Sequence, residues 1–266
     1  MGSPLIIAGF HRSGTSLTAQ LLHSGGLFLG DELLGANPSN PYGHFEDRDV
    51  IRIHERILEA NGMSWRADRQ FIPIVNRDAW RAIQLLAERR SIEHVRWGFK
   101  DPRVCLLLPL WKQIVPDVRV LIVYRHFAPS TTSLKRRHAS DLFTGNGPAE
   151  LHRPFWDDPD LALRMWLSHN QALLAFANAA PRDTLALSFT MLQQGFPLID
   201  LLNERWDLGL EPQPTSRVFD PAVTSSGAQR QAVSDRSLIP RVNRTWEALE
   251  ALSERNRDFV GVGVPA

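Results

Sequence analysis

Apolar residues recur along this chain in two rhythms. Short unbroken runs mark buried strands at residues 5–9 (LIIAG), 94–99 (HVRWGF), 118–124 (VRVLIVY) and 184–189 (TLALSF). The run at 118–124 is β-branched and apolar on both faces, which predicts a central, parallel strand. Between these runs the apolar positions fall at helical spacing. Leu17, Leu21 and Leu22 define a helix over 14–24. Val50, Ile51, Ile53, Ile57 and Leu58 define another within 46–62, with acidic residues in its first turn and Gly62 at its end. Further helices are expected across 77–91, 126–137, 158–180, 197–207 and 240–257, with a short one at 104–115 bent or broken near Pro109. Residues 25–45, 138–158 and 211–238 show no period and carry Gly, Pro or polar residues throughout. They are expected as loops that contact substrate or nucleotide. Strand and helix alternate with no repeat and no linker. This predicts one α/β domain over residues 1–266: three layers, a central parallel sheet flanked by helices, and an active edge at the strand C-termini.

Composition narrows the class only a little. The chain is 43% hydrophobic and 22% charged with a formal net charge of +1, the balance of an ordinary globular domain. No bulk charge invites nucleic acid, so any basic site must be local. The run LKRRH at 134–138 is expected as a solvated helix face or an extra phosphate contact. Cys105 is the single cysteine, so no internal disulfide can form, and a reducing, cytoplasmic setting is expected. The sequence shows no leader pattern and no apolar run of about 18 residues, so no membrane span is expected. His54, His94, His138, His152 and His169 lack metal-ligand spacing, and no metal is expected.

The chemistry starts at residues 6–22, IIAGFHRSGTSLTAQLL. A buried strand enters a turn at Gly9, and Gly14 opens the next helix. Such a turn aims successive backbone N–H groups, and the positive end of a helix dipole, at one spot. Ser13, Thr15 and Ser16 add hydroxyl donors. The bland alternative is a tight strand-to-helix turn whose glycines serve packing. The triphosphate form of this loop, G-x-x-x-x-G-K-[ST], has Lys directly after the second glycine. Here Thr15 holds that place and the loop's cation is Arg12. Kinase or ATPase chemistry therefore lacks a principal part, whereas a ligand with one terminal acidic group remains well suited.

RSGTS after an apolar strand resembles the 5′-phosphosulfate loop of sulfotransferases that use 3′-phosphoadenosine 5′-phosphosulfate (PAPS). A second stretch, VRVLIVYRHFAPSTTSLKRR, places Arg125 at a strand end and Ser133 eight residues on, resembling the family's 3′-phosphate pair. Arg and Ser so spaced can close around one dianionic phosphate. GFKDPR (98–103) resembles the Lys-Asp-Pro of tyrosylprotein and many bacterial sulfotransferases, and YGHFED (42–47) the bacterial Gly-x-Phe-Glu. The match covers roughly the first half of the chain and a late strand.

The resemblance implies a P-loop-like nucleotide-binding core and sulfuryl transfer from PAPS to an acceptor hydroxyl, on a carbohydrate or glycoconjugate. It implies that His11, Arg12, Ser13, Gly14, Thr15 and Ser16, with Arg125 and Ser133, hold the nucleotide. It also implies that Lys100 approaches the sulfuryl group. Arg12 is expected at the bridging oxygen. Glu46 is the leading base for the hydroxyl, with His44 its substitute; Glu32, Asp101 and His126 are further candidates. Two rival readings are a kinase with a degenerate loop, which the missing Lys and the Arg125/Ser133 pair oppose, and a nucleotide-binding protein without catalysis.

Overall fold

The computed structural model describes residues 3–35, 43–218 and 233–257. In chain order the elements are β1 (Leu5–Ala8), α1 (Thr15–Ser24), α2 (Arg48–Ala60), α3 (Arg77–Glu93), β2 (Gly98–Lys100) and α4 (Leu108–Ile114). They continue with β3 (Arg119–Tyr124), α5 (Phe127–Thr144), α6 (Ala149–His152), α7 (Pro154–Asp157), α8 (Leu161–Ala179) and β4 (Thr184–Ser188). The described chain ends with α9 (Phe189–Gln193), α10 (Leu198–Trp206) and α11 (Leu238–Arg257). The four strands form one parallel sheet in the order β2-β1-β3-β4.

Every strand residue but Arg119 is buried, as a parallel sheet covered on both faces requires. The pleat sorts side chains between two cores. Ile6, Ala8, Phe99, Val120, Ile122 and Tyr124 pack with apolar residues of α2, α3, α4, α8 and α11. Leu5, Ile7, Leu121, Val123, Leu185 and Leu187 pack with those of α1, α9 and α10. Helix layer, sheet and helix layer therefore stack as the sequence predicts.

The chain leaves β1 for β2 on one side and leaves β3 for β4 on the other. The crevice between β1 and β3 is thus a topological switch point, where open α/β sheets bind ligands. All four strand C-termini meet that edge.

Two expectations need correction. The strand expected at 94–99 lies at Gly98–Lys100, because α3 runs to Glu93 with His94 as its C-cap. Residues 138–158 are largely helical: α5 continues to Thr144, and α6 and α7 follow. Their Gly and Pro are punctuation rather than loop, with Gly145 left-handed (φ 68°) after α5 and Pro154 opening α7. The segment at 104–115 divides into a 3-10 turn (Pro102–Leu106) and α4, which Pro109 enters in its first turn. Within 25–45, the described residues make only isolated bridges, Phe28 to Trp97 and Leu33 to Asp47. Of the loop expected at 211–238, residues 219–232 lie outside the described residues. Among the described residues no helix is long and apolar enough to cross a membrane.

Just past the end of β1, Gly9 packs tightly against β3. A Cβ there would stand 2.2 Å from the Val123 carbonyl oxygen and 2.7 Å from Thr15 Cγ2. Gly9→Ala must push β1 and β3 apart, at a cost of about 1–3 kcal/mol or more. Urea unfolding should show a clear loss of midpoint for Gly9→Ala. Gly35→Ala, with open space around it, should stay near wild type; equal behaviour of the two would refute the close approach.

Candidate active site

The loop after β1 has two left-handed residues, Arg12 (φ 65°) and Gly14 (φ 92°). Positive φ is ordinary for glycine but uncommon for arginine. At Gly14 a Cβ would also meet the Phe189 ring at 2.4 Å. The loop closes through Ser13 N–H to the Phe10 carbonyl (3.2 Å). Gly14 caps α1 with no side-chain hydrogen bond and α1 has no acidic residue in its first turn, so the helix presents its positive end uncompensated. Beside it Ser13 Oγ is fully buried and has no hydrogen-bond partner among the described residues. Such an orphaned donor fits an anionic ligand in the loop.

Three guanidinium groups gather at this end. Arg12 Nε donates to Ser133 Oγ (3.0 Å), and Arg125 Nη1 donates to the Arg12 carbonyl (3.3 Å). The two arginines expected at opposite ends of a nucleotide thus share one cluster with Ser133. Arg137, one helical turn beyond Ser133 on α5, is the third member. Its own carboxylate is Asp141, 3.7 Å away. Arg12 has no carboxylate within ion-pair distance among the described residues. Burial, with Arg137 and Arg125 adding repulsion, lowers Arg12 to about 10. Burial lowers Arg125 as well, and its guanidinium lies 4.5 Å over the Phe189 ring. Positive charge crowded at a helix N-terminus is a site for a polyanion.

Across the β1 edge, β2 ends at Lys100. Its Nζ donates to Glu46 Oε1 at 2.6 Å, and both groups are buried. Arg103 Nη1 stands 3.6 Å from Glu46 Oε2, and His44 Nδ1 4.0 Å from Glu46 Oε1. Glu46 does not open α2 as expected. Asp47 is the N-cap, accepting from Asp49 N–H, and α2 starts at Arg48. Asp47 is also ion-paired to the fully buried Arg90, whose guanidinium lies over Phe28 and Trp97. With that anchor beside it and Phe45 left-handed (φ 53°), Glu46 turns inward onto Lys100.

The other candidates separate cleanly. His44 lies near the cluster; its carbonyl accepts from Ser16 Oγ (3.4 Å). Burial holds its imidazole down at about 4, with Lys100, Arg137 and Arg12 adding to the effect and Glu46 opposing it. His11 packs its ring on Phe10, Trp65 and His169, behind the loop. Asp101 pairs with His54 and Arg103 rather than with Lys100. His126 caps α5, its Nδ1 accepting from Ala128 N–H (3.2 Å). Glu32 is exposed and faces Arg48 and Arg52, away from the cluster. The sequence pointed to Arg137 only as part of a basic run. Its period of four from Ser133 was the signal that puts it on the site's side of α5. Arg103 and Phe189 were given no role, though Arg103 closes the GFKDPR stretch and Phe189 ends the strand expected at 184–189.

Burial keeps several imidazoles neutral. It lowers His138 and His169 to about 4, as it does His44, and pulls His11 well below 6.5. A histidine with a depressed folded pKa binds more protons unfolded than folded. Its stability contribution is present above 6.5 and is lost as pH falls toward 4. Melting temperature should therefore drop steeply between pH 6.5 and 4.5, and less steeply in His169→Gln. A flat profile over that range would contradict the burial of these rings.

The model of the sulfotransferase family matches residues 4–194. Among solved structures, the chain is similar to a sulfotransferase domain from the curacin biosynthetic pathway: 12% identity, 100% of this chain, 99% of that chain, TM-score 0.47. It is also similar to the sulfotransferase domain of the Synechococcus PCC 7002 olefin synthase (12%, 100% and 98%, TM-score 0.48). The sulfotransferase STF9 from Mycobacterium avium is a third (15%, 99% and 78%, TM-score 0.44). No curated protein matches the chain.

Proposed function

The chain belongs to the sulfotransferase family, and from that premise we propose that it moves a sulfuryl group from PAPS to an acceptor hydroxyl. The observation that carries the donor half is the cluster of Arg12, Arg125, Arg137 and Ser133 beside the uncapped start of α1. In this reading the amides of Gly14, Thr15 and Ser16, with Ser13 Oγ, cradle the 5′-phosphosulfate. Arg125 and Ser133 take the 3′-phosphate, and Arg12 meets the oxygen that bridges phosphorus and sulfur.

Sulfuryl transfer, like phosphoryl transfer, is a loose in-line displacement in which positioning and charge stabilisation dominate. The sulfur–oxygen bond to the 5′-phosphate breaks as the bond to the acceptor oxygen forms. Negative charge builds on the leaving oxygen, where Arg12 stands. The acceptor's proton must leave with a base, and Glu46 is the proposed one. In the structure one oxygen of that carboxylate is taken up by the Lys100 ammonium. Lys100 is also the cation assigned to the sulfuryl oxygens, so arrival of the donor draws the ammonium off Glu46 and leaves that oxygen open to the acceptor's proton. One ion pair thus couples donor occupancy to hydroxyl activation. The released nucleotide is 3′-phosphoadenosine 5′-phosphate.

A carbohydrate hydroxyl is the acceptor class we propose. Trp156 on α7 is largely exposed and offers a face to a sugar ring, whereas Trp65 is enclosed by His11, His138 and Phe155. We place the protein in the cytoplasm, where its free, buried Cys105 stays reduced.

Thermal shift tests the donor. 3′-Phosphoadenosine 5′-phosphate should raise the melting temperature and ATP with Mg²⁺ should not; the reverse would turn the reading toward a kinase. Arg125→Ala removes a charged contact worth about 1.5–3 kcal/mol. Its affinity for that nucleotide should fall roughly tenfold or more, with little change for adenosine 5′-phosphosulfate, which lacks the 3′-phosphate. Equal losses for both ligands would make Arg125 structural.

Glu46→Gln tests the base. It should cut turnover by about 10²–10⁴ while nucleotide binding persists. Normal turnover in Glu46→Gln, with His44→Asn inactive, would move the base to His44.

A further inference from the structure

Beneath the Glu46–Lys100 pair runs a chain of polar groups through the core. Trp111 on α4 donates its Nε1–H to His54 Nε2 at 2.8 Å. That donation leaves Nε2 as the lone-pair nitrogen and puts the imidazole proton on Nδ1. Nδ1 then donates to Asp101 Oδ2 at 2.6 Å. The other oxygen, Asp101 Oδ1, accepts from the Arg103 backbone N–H (3.0 Å) and from Arg103 Nη1 (2.9 Å). Arg103 in turn faces Glu46 Oε2 at 3.6 Å and donates to Glu55 Oε1 at 2.9 Å. Glu46 holds Lys100.

His54, Asp101 and Trp111 are each fully buried, and the rings of Phe99 and Trp111 pack edge-on to the imidazole. A site so dry is expensive for polar groups. Apolar residues of similar volume would usually serve packing as well or better. Burial alone would raise the Asp101 carboxyl, but Arg103 and His54 outweigh it and hold it well below the usual carboxylate range. Asp101 is therefore a fixed charge, and it keeps Arg103 from closing fully onto Glu46. If Arg103 swung free of Asp101, its guanidinium could take both Glu46 oxygens and displace Lys100.

We propose that His54 is a positioning residue for the transfer reaction: through Asp101 and Arg103 it sets the Glu46 carboxylate, and with it the Lys100 ammonium. The proposal rests on the roles assigned above to Glu46 and Lys100. Its test reads Lys100 directly, so it can fail while those roles stand.

The chain's lysines are Lys100, Lys112 and Lys135, so ¹⁵N-lysine labelling gives a simple spectrum, assigned with Lys100→Arg. A buried, paired ammonium exchanges slowly, and the wild type should show a sharp Lys100 signal near neutral pH. His54→Leu should broaden or shift it and leave Lys112, paired with Asp183, unchanged. His54→Gln, whose amide can both donate to Asp101 and accept from Trp111, should keep the wild-type signal. In turnover of PAPS with p-nitrophenol and a panel of hexoses, His54→Leu should lose roughly 10- to 100-fold in kcat. Its affinity for 3′-phosphoadenosine 5′-phosphate should stay within about twofold of wild type, and His54→Gln should recover most of the rate.

If His54→Leu fails to fold, the isosteric Asp101→Asn cuts the chain one link further on and should give the same Lys100 change. A folded His54→Leu or Asp101→Asn with an unaltered Lys100 signal overturns the proposal. So does a His54→Gln variant as impaired as His54→Leu. A wild type that transfers to none of these acceptors, yet shows the predicted Lys100 pattern, would count against the assigned reaction and leave the positioning chain standing.

Discussion

The site depends on the backbone pairing of β1 with β3. Because β1 lies between β2 and β3, the loop after it is flanked by the ends of both neighbours. Lys100 therefore arrives from one side and Arg125 from the other without any long excursion of chain. The pairing is close enough that Gly9 admits no Cβ beside the Val123 carbonyl. Strand ends fixed by a buried ladder hold functional groups more rigidly than loops can. That is where chemistry reliant on alignment has to be placed.

Around this frame the charges fall into two unlike groups. On the β2 side, Lys100 and Arg103 meet Glu46, Asp101 and Glu55 within ion-pair distance, so each cation there already has a carboxylate partner. On the β3 side, Arg12, Arg125 and Arg137 crowd together; burial lowers Arg12 most, and repulsion from Arg137 and Arg125 adds to it. By linkage, an anion that relieves the repulsion is bound more tightly because of it. In the proposed reaction the arginine half receives the donor, and the paired half is the one the donor must disturb.

The two halves differed in how legible they were in the sequence. Arg12, Arg125 and Ser133 were reached through two short motifs that resemble the family's: RSGTS, and an Arg just after a strand with a Ser eight residues on. The sheet was legible too, since unbroken apolar runs fix buried strands. The helices at 138–158 were missed because Gly145 and Pro154 read as breakers, when each stands at a helix boundary. The buried Glu46–Lys100 contact joins residues 54 positions apart and the His54–Asp101 contact residues 47 apart. No periodicity reaches across such a gap. Those pairings depend on how α2 settles against the end of β2, which is a matter of packing in three dimensions.

This difference bears on how the site works. Local signals place the groups assigned to binding: amides of a turn, an arginine after a strand end, a serine on the next helix. Each is useful wherever its own element ends up, because a phosphate can be met from several directions. The groups assigned to proton transfer are of another kind. A base must lie within hydrogen-bond reach of one proton, and its strength depends on which cation is beside it at that moment. In its proposed role Glu46 is set by Lys100 and Arg103, and Arg103 by Asp101 and Glu55. Its behaviour is a property of the packed core rather than of its own segment. Substitutions deep in that core, far from any bound nucleotide, should therefore act on the rate more than on donor affinity.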